Sequence, residues 1–211
     1  MKPLRTGTSA ARRRDFAGAY LEGLKSCVAA LPLEQVAEVI ECLEQAYVDG
    51  RQVFIIGNGG SAATASHMAC DLGKTILPSA AGERTRRFRV MALTDNVPWM
   101  TALANDLGYE HIFSEQLKNL VQKGDVLIAI SGSGNSPNIV KGVQAAKALG
   151  ATVVGILGFD GGKVKDLVDT SVLIRSNNYG YVEDLHMVLD HLITAYFREV
   201  VNGEKREAEP A

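Results

Sequence analysis

Val53-Phe54-Ile55-Ile56-Gly57-Asn58-Gly59-Gly60-Ser61-Ala62-Ala63-Thr64-Ala65-Ser66-His67-Met68-Ala69-Cys70-Asp71-Leu72 decides the fold. Its first four residues are apolar without alternation, as in a strand buried on both faces of a parallel sheet. A glycine and serine turn follows, and then a helical segment. The start of that helix leaves unpaired backbone N–H groups and a partial positive charge, so the turn can aim amides and the Ser61 hydroxyl at an anion. His67 and Asp71, four residues apart, project from one helix face. The stretch predicts a phosphate and a titratable pair sharing one pocket.

The chain repeats the device further on. Val126-Leu127-Ile128-Ala129-Ile130 reads as a second apolar strand and Ser131-Gly132-Ser133-Gly134-Asn135-Ser136 as its turn. Pro137 opens a helix where its missing N–H costs nothing. The turn contains no lysine or arginine, unlike a P-loop with its Gly-Lys-Ser/Thr ending. A neutral cradle of hydroxyls and amides suits a phosphomonoester better than a nucleoside triphosphate.

Around these turns, strands are expected at 52–56, 88–93, 126–130, 152–157 and 171–174. Helices are expected at 61–73, 98–106, 109–122, 137–148, 162–168 and 182–200, and two more, parted by Pro32, precede the first strand. The alternation predicts an α/β fold: three layers around a doubly wound, parallel, five-stranded sheet, with N-terminal helices and a long C-terminal helix. Ligands then bind beyond the carboxyl ends of the strands, where both serine turns lie. The reading gives a flexible arm over 1–14, a single domain over 15–201 and a flexible tail over 202–211.

Composition agrees with an ordinary soluble domain. The 211 residues are 46% hydrophobic with a net charge of −2, which gives no reason to expect nucleic acid or an anionic membrane as partner. Cys27, Cys42 and Cys70 are odd in number and lack metal-ligand spacing, so they read as reduced core residues of a cytoplasmic protein. No apolar run is long enough to span a membrane. Arg5, Arg12, Arg13 and Arg14 superficially resemble a transit peptide, but no apolar stripe accompanies them.

Gly57-Asn58-Gly59-Gly60-Ser61-Ala62 also matches the dinucleotide fingerprint G-x-G-x-x-A. The ribose-binding acid that should follow about 20 residues later is missing, because the second strand begins only near Phe88 and the acid after it, Asp95, is far too distant.

Three further stretches join the first turn. Gly-Asn-Gly-Gly-Ser with Ser-His-Met-Ala-Cys-Asp, then Ala-Asn-Asp-Leu-Gly-Tyr at 104–109, then Gly-Asp-Val-Leu-Ile-Ala-Ile-Ser-Gly-Ser-Gly-Asn-Ser at 124–136 together resemble the sugar isomerase (SIS) domain proteins of the phosphoheptose isomerase type. The likeness spans about 15–200. It implies the SIS fold and an aldose–ketose isomerase for sedoheptulose 7-phosphate, working as a homotetramer with active sites between subunits and often a zinc ion. Carried over residue by residue, the metal positions of the family fall on His67, Asp71, Glu183 and His191. Phosphate contacts fall on Ser61, Ser131, Ser133 and Ser136, and sugar contacts on Asn58, Gly59, Gly60, Asn105 and Asp106, with Glu183 also facing substrate.

The sequence departs from the family in four places. Asp71 replaces a glutamate, Glu183 a glutamine and Gly132 a hydroxyl residue, and the loop Asn177–Tyr181 is about three residues shorter. These changes alter reach and charge while keeping the apparatus.

The chemistry itself follows from the residue types. Moving a carbonyl between two carbons requires a base to shift a weakly acidic proton through an enediol, and Asp71 is the candidate. Proton exchange between the sugar oxygens and ring opening suit an imidazole, assigned to His191. Two imidazoles and two carboxylates also suit zinc, which would stabilise enediolate charge as a Lewis acid. His186 has no role in the family, and an interface position is expected. His111 reads as solvent-facing, Asp184 and Asp190 as helix surface or partner contacts, and Lys74 as a solvated charge. The resemblance also admits a different class, since some proteins of this fold bind a phosphosugar without turnover or act as tetrameric scaffolds, as the one associating with the bacterial replication initiator does. An acid and a base in the pocket favour the enzyme.

Overall fold

The computed structural model describes residues 9–77 and 86–208, with side chains described to Val201. Two helices come first, α1 (Ala10–Ala29) and α2 (Leu33–Asp49), then β1 (Gln52–Ile56) and α3 (Gly60–Cys70), which runs into a π-helical turn over Asp71–Thr75. After β2 (Arg89–Ala92) come α4 (Val97–Leu107), a 3-10 turn at Tyr109–His111 and α5 (Ser114–Leu120). The remaining elements are β3 (Val126–Ser131), α6 (Pro137–Ala148), β4 (Thr152–Gly158), α7 (Gly162–Lys165), β5 (Thr170–Ile174) and α8 (Tyr179–Ala208).

All five strands pair in parallel in the order β2-β1-β3-β4-β5. The expected α/β architecture is therefore present. Side chains alternate between two apolar layers, as the strand period of two requires. Val53, Ile55, Ile128, Val154 and Ile156 pack under α2, α3 and α8, while Phe54, Leu127, Ala129, Val153 and Leu157 pack under α5, α6 and α7. Because β1 hydrogen-bonds β2 on one side and β3 on the other, the order in which strands are added to the sheet reverses between β1 and β3. The crevice beyond the carboxyl ends of these two strands is where ligands bind in open α/β sheets.

Local chemistry sets several boundaries. Gly50, at φ 64°, closes α2 in the left-handed conformation, Asn96 caps α4 through its side chain, and Pro137 occupies the first turn of α6. Asp125 accepts hydrogen bonds from the Gln52 and Gln122 amides, fastening the start of β1 to the turn before β3.

Some expectations move. Helix α1 begins at Ala10, capped by Ser9, so residues 10–14 of the expected arm are helical; residues 1–8 lie outside the described residues. Helix α8 continues through 202–208, part of the expected tail, while 209–211 lie outside the described residues. The segment expected as one helix over 109–122 is a 3-10 turn followed by α5. Cys27 and Cys42 are half-buried, but Cys70 is exposed, so it is not a core residue. Among the described residues no helix is long and apolar enough to cross a membrane.

Candidate functional site

The two serine turns meet in one small cavity of about 170 Å3, lined by Ser61, Ser131, Ser133 and Ser136 together with Asn58, Gly132, Tyr179 and Glu183. All four expected phosphate contacts are thus brought together. The β3 turn holds its own shape. Ser131 Oγ accepts from the Gly134 amide at 3.0 Å, and Ser133 Oγ accepts from the Asn135 amide at 3.3 Å. Both hydroxyls keep their protons available to donate. Gly134 lies at φ 62°, and a Cβ there would sit 1.9 Å from the Gly161 carbonyl oxygen, so the turn closes against the loop before α7 only through glycine.

The N-cap residues of α3 and α6, Gly59 and Ser136, make no side-chain cap hydrogen bond, and within α6 the Ile139 amide donates to Asn138 Oδ1 at 3.0 Å. Asn58 and Asn138 exchange side-chain hydrogen bonds of 2.9 and 2.7 Å, and Tyr109 donates to Asn58 Oδ1 at 3.1 Å. This network fixes the Asn58 amide at the rim. The place of Gly132 also becomes intelligible, since a Cβ there would lie 2.9 Å from the Tyr179 ring. Tyr179 packs edge-on against Phe159, with ring centroids 4.6 Å apart, and fills the space that a hydroxyl side chain would need.

Further along α3, and facing it from α8, lies an imidazole and carboxylate cluster. His67 Nε2 is 3.2 Å from His191 Nε2 and 3.6 Å from Asp71 Oδ2. Asp71 stands where α3 widens into its π-turn, a distortion that recurs at functional sites. Thr75, four residues on, donates to Asp71 Oδ1 at 2.8 Å and so turns Oδ2 toward His67. The pair forms the wall of a second cavity of about 620 Å3, lined also by Thr75, Thr194, Arg198 and Glu199.

Two corrections follow. The phosphate cradle and the titratable pair do not share one pocket on a single chain. Ser61 and His67 are six residues apart on one helix, about 9 Å along its axis, and open into separate cavities. Glu183, expected as the fourth metal ligand, faces the cradle instead. Its carboxylate lies over the first turn of α3, so close that a Cβ on Gly60 would be 2.8 Å from Oε2. The physical reason is the pitch of α8: residues eight apart on a helix differ by about 80° in direction, so Glu183 and His191 face different neighbours.

The carboxylate that does join the cluster is Asp190. His67, Asp71, Asp190 and His191 each offer a donor atom, all within 4.8 Å of one another. Asp190 is fully buried, not a surface residue as expected. Oδ1 accepts from Thr194 at 3.4 Å and Oδ2 has no hydrogen-bond partner. Burial and then the nearby Asp71 push its carboxyl up to about 6, against the pull of His67 and His191. The signal available in the sequence was the repeated Asp-x-x-x-Thr at 71–75 and 190–194. The donor chemistry suits zinc, because two neutral imidazoles and two carboxylates balance a divalent cation and an otherwise unpaired buried oxygen gains a partner.

The other candidates separate. Asn105 and Asp106 are exposed near the end of α4, bonded to each other at 2.8 Å, and line neither cavity. Gly59 is the N-cap of α3 and Gly60 its first residue, beside the cradle rather than in its lining. Asp184 accepts from Tyr20 at 2.7 Å and ties α8 to α1. His111 is half-buried rather than solvent-facing and lies 3.1 Å from Lys141 Nζ, with Glu110 and Glu115 beside it. Lys74 is exposed. His186 is 1% exposed and packs among apolar groups with neither ring nitrogen hydrogen-bonded. Burial pulls its imidazolium down to about 4, opposed only by the backbone of Leu157.

This geometry can be set beside known proteins. A phosphoheptose isomerase of Clostridium acetobutylicum is 35% identical over 179 residues, covering 82% of this chain and 86% of that protein. One from Trichlorobacter lovleyi is 39% identical over 165 residues, covering 75% and 78%. The structure of phosphoheptose isomerase GmhA from Neisseria gonorrhoeae superposes with a TM-score of 0.79 at 29% identity, covering 90% of this chain and 98% of that one. The family model for the SIS domain matches residues 19–158, the span that contains the sheet through β4 and both serine turns. With the parallel sheet, the two turns and these relatives in agreement, the chain belongs to the SIS domain family.

Proposed function

We propose that this protein is an aldose–ketose isomerase that converts sedoheptulose 7-phosphate to a heptose 7-phosphate through an enediol. One observation carries the reading: α3 and α8, which frame the serine cradle with Ser61 and Glu183, also hold His67, Asp71 and His191 within reach of one another. A site that only bound a phosphosugar would have no use for that second group. The relatives named as phosphoheptose isomerases support the substrate class.

In this reading the serine hydroxyls and the amides at the starts of α3 and α6 hold the phosphate oxygens, and Asn58, Gly59 and Gly60 orient the sugar hydroxyls beside it. Asp71 takes a proton from the carbon next to the carbonyl and returns it to the neighbouring carbon. Its Oδ1 is held by Thr75, and Oδ2 serves either that proton transfer or an ion, since one oxygen is not a full ligand and a free base at once. His191 moves the proton between the two sugar oxygens and assists ring opening. Zinc held by the cluster would supply positive charge near the sugar oxygens as a Lewis acid. The separate cavities on one chain fit a cytoplasmic homotetramer in which a neighbouring subunit completes each site, with Asn105 and Asp106 brought to the sugar across that interface.

The test is turnover by the purified full-length chain. Incubation with sedoheptulose 7-phosphate in heavy water, followed by NMR, should give a second sugar phosphate labelled at the carbon that exchanged its proton. Absence of turnover on this and other ketose and aldose phosphates, with phosphosugar binding intact, overturns the enzymatic reading in favour of a binding or scaffold protein of the same fold.

A further inference from the structure

Asp190 sits beside His191 with a buried, unpaired oxygen, and that observation is independent of any role for the serine cradle. An anionic oxygen removed from water without a partner is costly, and buried charges are found paired or on metals. Oδ2 of Asp190 has neither a hydrogen bond nor exposure. Asp190 belongs to a group whose other members are His67, Asp71 and His191, each offering a donor atom, all within 4.8 Å of one another.

The spacing of that group is informative. Four donors arranged tetrahedrally at about 2.0–2.2 Å from zinc are separated from one another by about 3.3–3.6 Å. The His67–His191 and His67–Asp71 separations, 3.2 and 3.6 Å, lie at or near that range before any ion is present. Both carboxylates are aimed by the same device, since each accepts through Oδ1 from a threonine one helical turn later, Thr75 for Asp71 and Thr194 for Asp190. Hydroxyls that hold one carboxylate oxygen and leave the other free are typical outer partners of metal ligands. Glu183 is committed elsewhere, over the start of α3 in the serine cradle.

We infer that Asp190 is a direct metal ligand in this protein, completing a site with His67, Asp71 and His191, and that Glu183 is not a ligand but faces the substrate phosphate end. The inference rests on the metal reading under the proposed function and specifies its ligand set. Two aspartates from two helices then replace one acid and one amide as the oxygen donors, and the site becomes electrically neutral with a divalent ion bound.

The experiment uses the full chain, stripped with a chelator and titrated with Co2+ as a spectroscopic substitute for zinc, followed by competition with Zn2+. The wild type should take up one ion per chain with the intense visible absorption of a low-coordinate cobalt site. Asp190→Asn should weaken uptake by at least about 100-fold, beyond the 10–100-fold typical of losing an outer partner, and change the band shape. Asp190→Leu, which removes the side-chain polarity altogether, should do the same with its far-ultraviolet dichroism and apo melting temperature intact. Glu183→Gln should leave affinity and spectrum within about threefold and unchanged in shape. The inference is overturned if both Asp190 variants bind Co2+ as the wild type does, or bind more weakly with an unaltered spectrum, or if Glu183→Gln loses the ion. Failure of the wild type to bind Co2+ or Zn2+ while still isomerising sugar phosphates overturns the metal reading as a whole and leaves the isomerase reading standing.

Discussion

Acidification should loosen this protein through a residue outside both cavities. His186 faces the sheet from α8, the helix that carries Glu183 and His191, and its ring is buried against Leu157 with no charged group opposing the effect of burial. In the unfolded chain an imidazole takes its proton near pH 6.5, whereas in the folded protein it does so only near about 4. Between these values the unfolded state binds more protons, so stability falls as pH falls and is fully present above about 6.5. Integrating the two titrations gives a loss of about 2 kcal/mol between pH 8 and pH 5, and about 3 kcal/mol once pH drops below the folded value. The assay is urea unfolding at fixed protein concentration over that range, comparing wild type with His186→Leu, which cannot be protonated. The variant should equal or exceed the wild type at pH 8, because the unpaired ring nitrogens carry a penalty of about 1–3 kcal/mol that leucine removes. Its advantage should widen by about 2 kcal/mol at pH 5. Parallel pH dependence in the two proteins would refute the reasoning, since other groups titrate equally in both.

Further outcomes are expected at the cavities. Ser133→Ala should weaken sugar phosphate binding by about 1–2 kcal/mol in calorimetry with unfolding unchanged, because one hydrogen bond to a charged group is lost; equal affinity would remove Ser133 from the phosphate site. Asp71→Asn, compared at matched metal content, should lower turnover by at least about 100-fold while the dissociation constant of the sugar phosphate stays near that of the wild type, since proton transfer is felt in the transition state. Glu183→Gln should tighten phosphate ester binding about fivefold, because two like charges roughly 6 Å apart near the surface repel by about 1 kcal/mol or more, and weaker binding would instead mark the carboxylate as a needed sugar contact.

Much of the fold was legible because its signals are local. The unbroken apolar runs at 53–56 and 126–130 declared strands buried on both faces, and the turns after them declared helix starts, since glycine, serine and Pro137 act through their immediate backbone. The same locality explains the gathering of Ser61, Ser131, Ser133 and Ser136: each lies at a strand end or within five residues beyond it, and parallel strands deliver their ends to one edge. Asp190 was less legible, because burial of a lone acid on a long helix depends on what covers that helix. The expected arm shortened for a similar reason, as Ser9 capping and helix propensity extend α1 back to Ala10.

The sequence by itself determined a parallel α/β sheet, its two serine turns, the pairing of His67 with Asp71 on one helix face, and membership of a family. Only the tertiary structure decided that β1 and β3 are neighbours at the reversal of strand order, which brings the two turns into one cradle. It also decided that Asp190 rather than Glu183 stands with His67, Asp71 and His191. Periodicity and turn chemistry act over a few residues and can be read from the chain, whereas the rotation of α8 against α3 is set by packing between segments more than 100 residues apart, and it fixes which face of a helix meets which partner.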